Sequence, residues 1–394
     1  MGPLPAPPNS QAHLQHVLTS AASALGLEGF TNRLRLPEAE IAVVILADGL
    51  GDKQLAAHTG HARFLASAWR STAAAQVLDS GAPTTTASSL ASLGTGLAAG
   101  QHGLVGYDVL SPELSRVVNM LGQWDSDVAP RQWQPHRTVF ESAEHGGAKV
   151  LTCSRPKFRS SPLTQAVLRG GQFSGADTIE RRFDAAADWI GAHRPATGTL
   201  HRGRPAPVLV YLYVDELDKT GHRTGVGSAR WLQMLETLDS AARRLCRGLT
   251  ESYGSLARVV LTADHGMINL AQEQRIDISG RPDLLAGVAH TGGEPRFLHL
   301  YTEAAGQAKD VAERWHQAYG DQAWVLTREE AVAEGWFGTV EDRVLPRIGD
   351  VLVAAQADIA FFHTERTGKD VLKMVGQHGS LTEAERRVPL LQLA

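Results

Sequence analysis

Four short, almost wholly apolar runs constrain the fold most: Ile41 to Ala47, Lys149 to Thr152, Val208 to Val214 and Arg258 to Ala263. Strands with no polar face must be covered on both sides, which is the condition of a parallel sheet between two layers of helix. The intervening segments carry helical periodicity, as in Arg230 to Leu249, where Leu232, Leu235, Leu238, Ala242 and Leu245 fall on one face. The expected fold class is therefore α/β, a mostly parallel central sheet with helices on both faces.

At 394 residues and 43% hydrophobic, the chain has enough material for one large core and an insertion. From about Asn269 to Leu345 the character changes. Gly280 to Pro282 and Gly292 to Pro295 are turn clusters, Phe297 to Tyr301 reads as a strand and Ala304 to Tyr319 as a helix. The expected organisation is an N-terminal extension over 1–36, a catalytic α/β domain over 37–268 and 346–394, and a small α+β cap inserted at 269–345. Pro3, Pro5, Pro7 and Pro8 favour an extended N-terminal tail.

A net charge of −4 without a basic block argues against a nucleic-acid polymer as partner. Only Cys153 and Cys246 occur, both in apolar surroundings, so no disulfide framework is expected. The first residues lack a charged segment followed by an apolar one, and no run reaches the roughly 18 apolar residues that span a bilayer. The expected location is the cytoplasm.

Three motifs start at or just past the end of an apolar run, the edge at which open parallel sheets bind ligands. Asp48 ends the first run, Asp218 follows the third within the stretch DKTGH, and Asp264 ends the fourth. His222 stands four residues after Asp218, so a helix would present both to one ion. His265 adjoins Asp264, and Gly266 permits a sharp turn there. His378 lies between glycines in GQHGS. Three carboxylates and three imidazoles suit two first-row metal ions. Each motif also has a plainer reading: a helix N-cap for Asp48 or Asp264, a solvated turn for Asp218 and His222, a surface residue for His378. Thr84, Thr85 and Thr86 precede an apolar helical stretch, and any of the three could cap it or lend a hydroxyl beside free backbone N–H groups.

The ordered set of Asp48, the PTTT stretch, Asp218 with His222, Asp264 with His265 in DHGM, and His378 in GQHG resembles the alkaline phosphatase superfamily, and within it the nucleotide pyrophosphatase/phosphodiesterase branch. The segment Ser92 to Tyr107 resembles that branch too, and the likeness spans roughly residues 40 to 380. The resemblance implies a metal-dependent hydrolase of phosphodiester or pyrophosphate bonds, acting on a small phosphorylated substrate such as a nucleotide. Two zinc ions would be held, one by Asp218, His222 and His378, the other by Asp48, Asp264, His265 and the nucleophile Thr86, with manganese also tolerated. A phospho-threonine intermediate would form on Thr86, and Ser89 would donate to a phosphoryl oxygen. The chain departs from the branch at Ala87, where an aromatic residue usually follows the nucleophile, and at Ser89, where an asparagine is usual.

A phosphomonoesterase or phosphonate hydrolase would use the same metals, and a phosphosugar mutase would need a transfer architecture not visible in the cap. Sulfatase chemistry has no cysteine at the nucleophile position. A non-catalytic metal-binding descendant should have lost a ligand, and none is missing. Candidate substrate contacts are Trp124, Trp133, Lys157, Phe158, Arg159, His290 and Arg296, on connections near strand ends or in the cap.

Overall fold

The computed structural model describes residues 3–8, 11–71, 75–122, 124–194 and 205–394. Seven strands form the central sheet: β1 Ile41–Ala47, β2 Ala75–Asp79, β3 Lys149–Ser154, β4 Gln172–Gly175, β5 Val208–Val214, β6 Ala257–Thr262 and β7 Arg387–Gln392. Their spatial order is β2-β7-β6-β1-β5-β3-β4. All four expected runs are strands, and β1 and β5 are buried at every position. The sheet is mostly parallel, as the absence of a polar face requires, with β7 antiparallel to both β6 and β2.

Register decides where the chemistry surfaces. Ala47 pairs with Val214 and Leu46 with Thr262, so Asp48, the turn after β5 and the Ala263–Asp264 step all emerge at one edge. Helices α1 His16–Ala24, α2 Thr86–Thr95, α3 Ile179–His193, α4 Glu216–Thr224 and α5 Ala229–Tyr253 lie about this sheet. In α5, Leu235, Leu238, Ala242 and Leu245 form the buried stripe that the periodicity indicated, whereas Leu232 is only partly buried.

Two boundaries differ from expectation. The N-terminal segment is not simply an extension, because α1 places Val17, Leu18, Ala21 and Ala22 in the main core. Ahead of it, the Pro3 carbonyl accepts the Trp324 indole N–H at 3.0 Å. The inserted unit also runs past 345. Its four-stranded antiparallel sheet includes Val288–Glu294, Phe297–Thr302 and Ala323–Thr327, but also Val351–Ala355, which pairs with both of the last two. VLVAA is apolar throughout and has no mark to say which sheet it joins. The helix Ala308–Tyr319 covers this second sheet through Val311 and Trp315.

Among the described residues, no helix is long and apolar enough to cross a membrane. Both cysteines are free and buried.

Three buried histidines each accept a backbone N–H on Nδ1: His13 from Gln15, His102 from Leu104 and His299 from Gly349. Each must stay neutral to accept, and burial lowers them to about 4, about 3 and about 3 respectively. Between those values and the ordinary pKa near 6.5, the unfolded chain binds more protons than the folded one, so stability falls as pH falls through that window. Each histidine should cost about 2 kcal/mol on going from pH 7 to pH 5. Urea unfolding of wild type against His299→Gln at both pH values measures one of them: the wild type should lose about 2 kcal/mol more than the variant. Equal losses would show that His299 does not titrate on unfolding.

Candidate active site

At the sheet edge, Asp48 follows β1 directly, and the chain then turns through Gly49 at φ 76°. A Cβ on Gly49 would stand 3.1 Å from the Asp218 Cα, so glycine serves both the left-handed turn and the approach of α4. The Gly49 N–H donates to Asp264 Oδ1 at 3.1 Å, as does the His265 N–H at 3.0 Å. Asp218 and His222 lie on one face of α4, with Asp218 Oδ1 3.2 Å from His222 Nε2 and 3.7 Å from His378 Nε2.

Two triads result, Asp218–His222–His378 and Asp48–Asp264–His265, each with its donor atoms within 4.8 Å of one another. The rings of His265 and His378 stack with centroids 3.6 Å apart, which brings the triads side by side. Thr86 opens α2, and its hydroxyl lies 3.2 Å from His265 Nε2.

Every histidine in the two triads faces a backbone carbonyl with Nδ1: His222 that of Gly376 at 2.7 Å, His265 that of Gly266 at 3.1 Å, His378 that of Thr84 at 2.9 Å. A carbonyl can only accept, so each Nδ1 carries a proton and Nε2 is the nitrogen turned to the carboxylates. The carboxylates match. Asp48 receives the Tyr213 hydroxyl on Oδ2 while its Oδ1 has no hydrogen-bond partner, and Asp264 Oδ2 and Asp218 Oδ1 are likewise buried without one. His265 Nε2 lies 3.4 Å from Asp48 Oδ1 and 3.5 Å from Asp264 Oδ2. Imidazole Nε2 atoms facing buried, unpartnered carboxylate oxygens fit divalent cations.

The protein alone strains these groups electrostatically. Burial, then Asp264 and Asp218, raises Asp48 well above the carboxylate range, and burial raises Asp264. Burial acts upward on Asp218 too, but His222, His378 and His265 together outweigh it and hold Asp218 down. His378 is pushed well down by burial and then by His265. A bound cation would relieve the carboxylates and favour neutral imidazoles.

Two recesses meet at Thr86, Leu121 and Asp218. The core-side recess, about 230 Å³, is walled by Phe158, Phe173, Tyr213 and Leu168, with Lys157 and Lys219. The cap-side recess, about 300 Å³, lies against the second sheet and includes Tyr107, Glu294, Leu298, Phe362 and Met374.

The seven residues expected to hold metal or attack phosphorus come together here. The expected substrate contacts fare unevenly. Lys157 and Phe158 line the core-side recess. Arg159 and His290 line neither, and Arg159 stacks on Phe173 at 4.8 Å. Arg296 requires correction: it is fully buried, with its fork on Glu385 at 2.8 and 2.9 Å and on the Ala357 carbonyl at 3.0 Å. Trp124 and Trp133 are also structural, buried edge to face, each indole N–H on a backbone carbonyl. Ser89 is buried with an unpartnered hydroxyl and lines neither recess. Tyr213 and Glu294 were not legible, the one inside an apolar strand and the other in a turn cluster.

The sequence profile of the family described as type I phosphodiesterase / nucleotide pyrophosphatase matches residues 42–381. The chain belongs to this family. Its curated relatives include venom phosphodiesterase of Naja atra, 25% identical over 182 residues, 44% of this chain and 20% of that protein. Another is ectonucleotide pyrophosphatase/phosphodiesterase family member 3 of Mus musculus, 24% identical over 177 residues, 44% of this chain and 18% of that one. The matched segments thus span a fifth or less of those proteins. Among solved structures, an inactive threonine-to-alanine variant of murine ectonucleotide pyrophosphatase/phosphodiesterase 5 in complex with AMP superposes with a TM-score of 0.66 at 15% identity, covering 89% of this chain and 87% of that chain. Phosphonoacetate hydrolase from Sinorhizobium meliloti 1021 in complex with phosphonoacetate gives 0.67 at 17% identity, covering 93% and 92%. At such identities these neighbours show the type I phosphodiesterase fold with its α/β sheet, and the fold alone.

Proposed function

We propose that this type I phosphodiesterase family member hydrolyses phosphodiester or pyrophosphate bonds of a small phosphorylated substrate through a phospho-Thr86 intermediate. The observation that carries the reading is the Thr86 hydroxyl, placed at the start of α2 within 3.2 Å of His265 Nε2 and beside two triads that fit divalent cations. When bound, cations at the triads, zinc by our assignment, supply a lowered hydroxyl pKa at Thr86 and neutralise charge on the departing oxygen.

The chain's own groups do the rest. The Thr86 oxygen attacks phosphorus and loses its proton. Backbone N–H groups in the first turn of α2 have no intrahelical partner and can hold a phosphoryl oxygen. The Gly376, Gly266 and Thr84 carbonyls fix the three imidazoles in one tautomer. Tyr213 holds Asp48 in place from behind. The AMP held by the murine neighbour, inactive when its threonine is replaced, supports the same reading.

Phosphonate hydrolysis is the second reading. Lys157 lines the core-side recess with no carboxylate bonded to it among the described residues, and could meet a second anionic group such as the carboxylate of a phosphonate. Hydrolysis of an aryl phosphodiester, the matching monoester and phosphonoacetate by the metal-replete protein separates the cases. Two recesses at Thr86, with Arg366 as the arginine lining them and already held by Asp108, favour the diester, which carries two organic groups and less charge. The diester should have the highest kcat/KM; a monoester turned over about tenfold faster, roughly 1.4 kcal/mol of transition-state binding, would overturn that preference.

A further inference from the structure

We propose that the cap-side recess is the leaving-group subsite and is built for an uncharged alcohol with an apolar body, aryl or alkyl. This rests on the reaction proposed above. The Thr86 hydroxyl stands beside His265, so the Asp48–Asp264–His265 triad belongs to the nucleophile's side. In an in-line displacement the departing oxygen lies opposite the attacking one, and the triad left to meet it is Asp218–His222–His378. All three of those residues line the cap-side recess, whereas only Asp218 of them lines the core-side one. The departing oxygen therefore emerges towards the cap.

What waits there is apolar. Leu298, Phe362, Val371 and Met374 form the wall. Arg366, the one arginine or lysine among the described lining residues, is already engaged, by Asp108 at 2.7 Å through Nη1 and by Thr291 at 3.1 Å through Nε. Glu294 also lines the recess and accepts the Tyr107 N–H at 2.9 Å, so an anionic leaving group would find a carboxyl and no unengaged cation. In the core-side recess Lys219 is held by Asp215, but Lys157, 4.8 Å from the Phe158 ring centroid, has no carboxylate bonded to it among the described residues. The substrate class that fits is a diester whose charged or polar half is retained towards Lys157 while its apolar alcohol departs under the cap. In that step the Thr86 Oγ–P bond forms as the P–O bond to the alcohol breaks, and the proton lost by Thr86 ends on the released alcohol.

The test uses 2-naphthol, a product-like alcohol, with the metal-replete enzyme. Naphthol binding is read directly by its fluorescence, and naphthol inhibition of 4-nitrophenyl phosphodiester hydrolysis is read in parallel. Met374→Glu and, independently, Val371→Lys place charge at the recess wall, with metal content and circular dichroism confirming that both variants fold. Naphthol should bind, inhibit competitively and bind about tenfold more weakly to both variants, while Lys157→Ala binds it as the wild type does. No binding to the wild type, or weakening by Lys157→Ala alone, would overturn the assignment. If the wild type binds naphthol but hydrolyses no diester, the reaction is wrong and the recess chemistry stands.

Discussion

Thr86→Ala should lower diester turnover by roughly a thousandfold or more, since it deletes the atom that forms the new bond to phosphorus. Metal binding and thermal unfolding should change little, because His265, Asp48 and Asp264 keep their own backbone and side-chain partners. Thr85→Ala is the sharp control. Thr85 is the N-cap residue of α2, but its side chain makes no capping bond, so its loss should be mild. Steady-state kinetics on the two variants check this: a dead Thr85→Ala beside an active Thr86→Ala would move the nucleophile by one residue.

Removing the metals should have an effect of similar size. Dialysis against a chelator should abolish activity, and zinc should restore it, with about two ions per chain at full loading. His222→Gln should lose about one equivalent, because it dismantles one triad and leaves the other, and turnover should fall roughly a hundredfold or more. Atomic-emission analysis of the loaded protein and of the variant measures both. Full activity in the presence of chelator, or a single ion in the loaded wild type, would contradict the two-triad reading. Metal loss should also lower the unfolding temperature, since Asp48, Asp218 and Asp264 would then be left with buried, unpartnered oxygens.

How much of this was legible in the sequence follows from where the signal is local. β1 and β5 match their apolar runs to the residue, because a strand buried on both faces leaves no polar position inside it and a sharp change at each end. The i, i+4 spacing of Asp218 and His222 was legible for the same reason, despite Gly221 in the helix between them. β2 and β7 were not. They lie at the antiparallel end of the sheet, where exposed Val77 and Arg387 break the pattern, and their pairing joins residues some 300 positions apart. α1 was hidden behind a proline-rich start, and Val351–Ala355 could not be told from a strand of the central sheet.

The site divides along the same line. Ligand identities are written in short motifs, so all seven residues could be found, and an arginine in a turn cluster reads as available to a substrate. Arg296 shows why that fails: its partner Glu385 is 89 positions away, and only folding reveals that the guanidinium is already taken. The two recesses are likewise made by surfaces far apart in sequence, with Thr86, Asp218 and the second sheet contributing from distant segments.

The most direct measurement is to mix the metal-replete protein with a 4-nitrophenyl phosphodiester, quench in acid during turnover and map the covalent adduct by peptide mass spectrometry. Expected is a phosphoryl group on Thr86 that still bears the retained ester, absent from Thr86→Ala. A phosphoryl group on Thr84 or Thr85, or rapid turnover with no adduct on any residue at the earliest quench times, would contradict catalysis through Thr86.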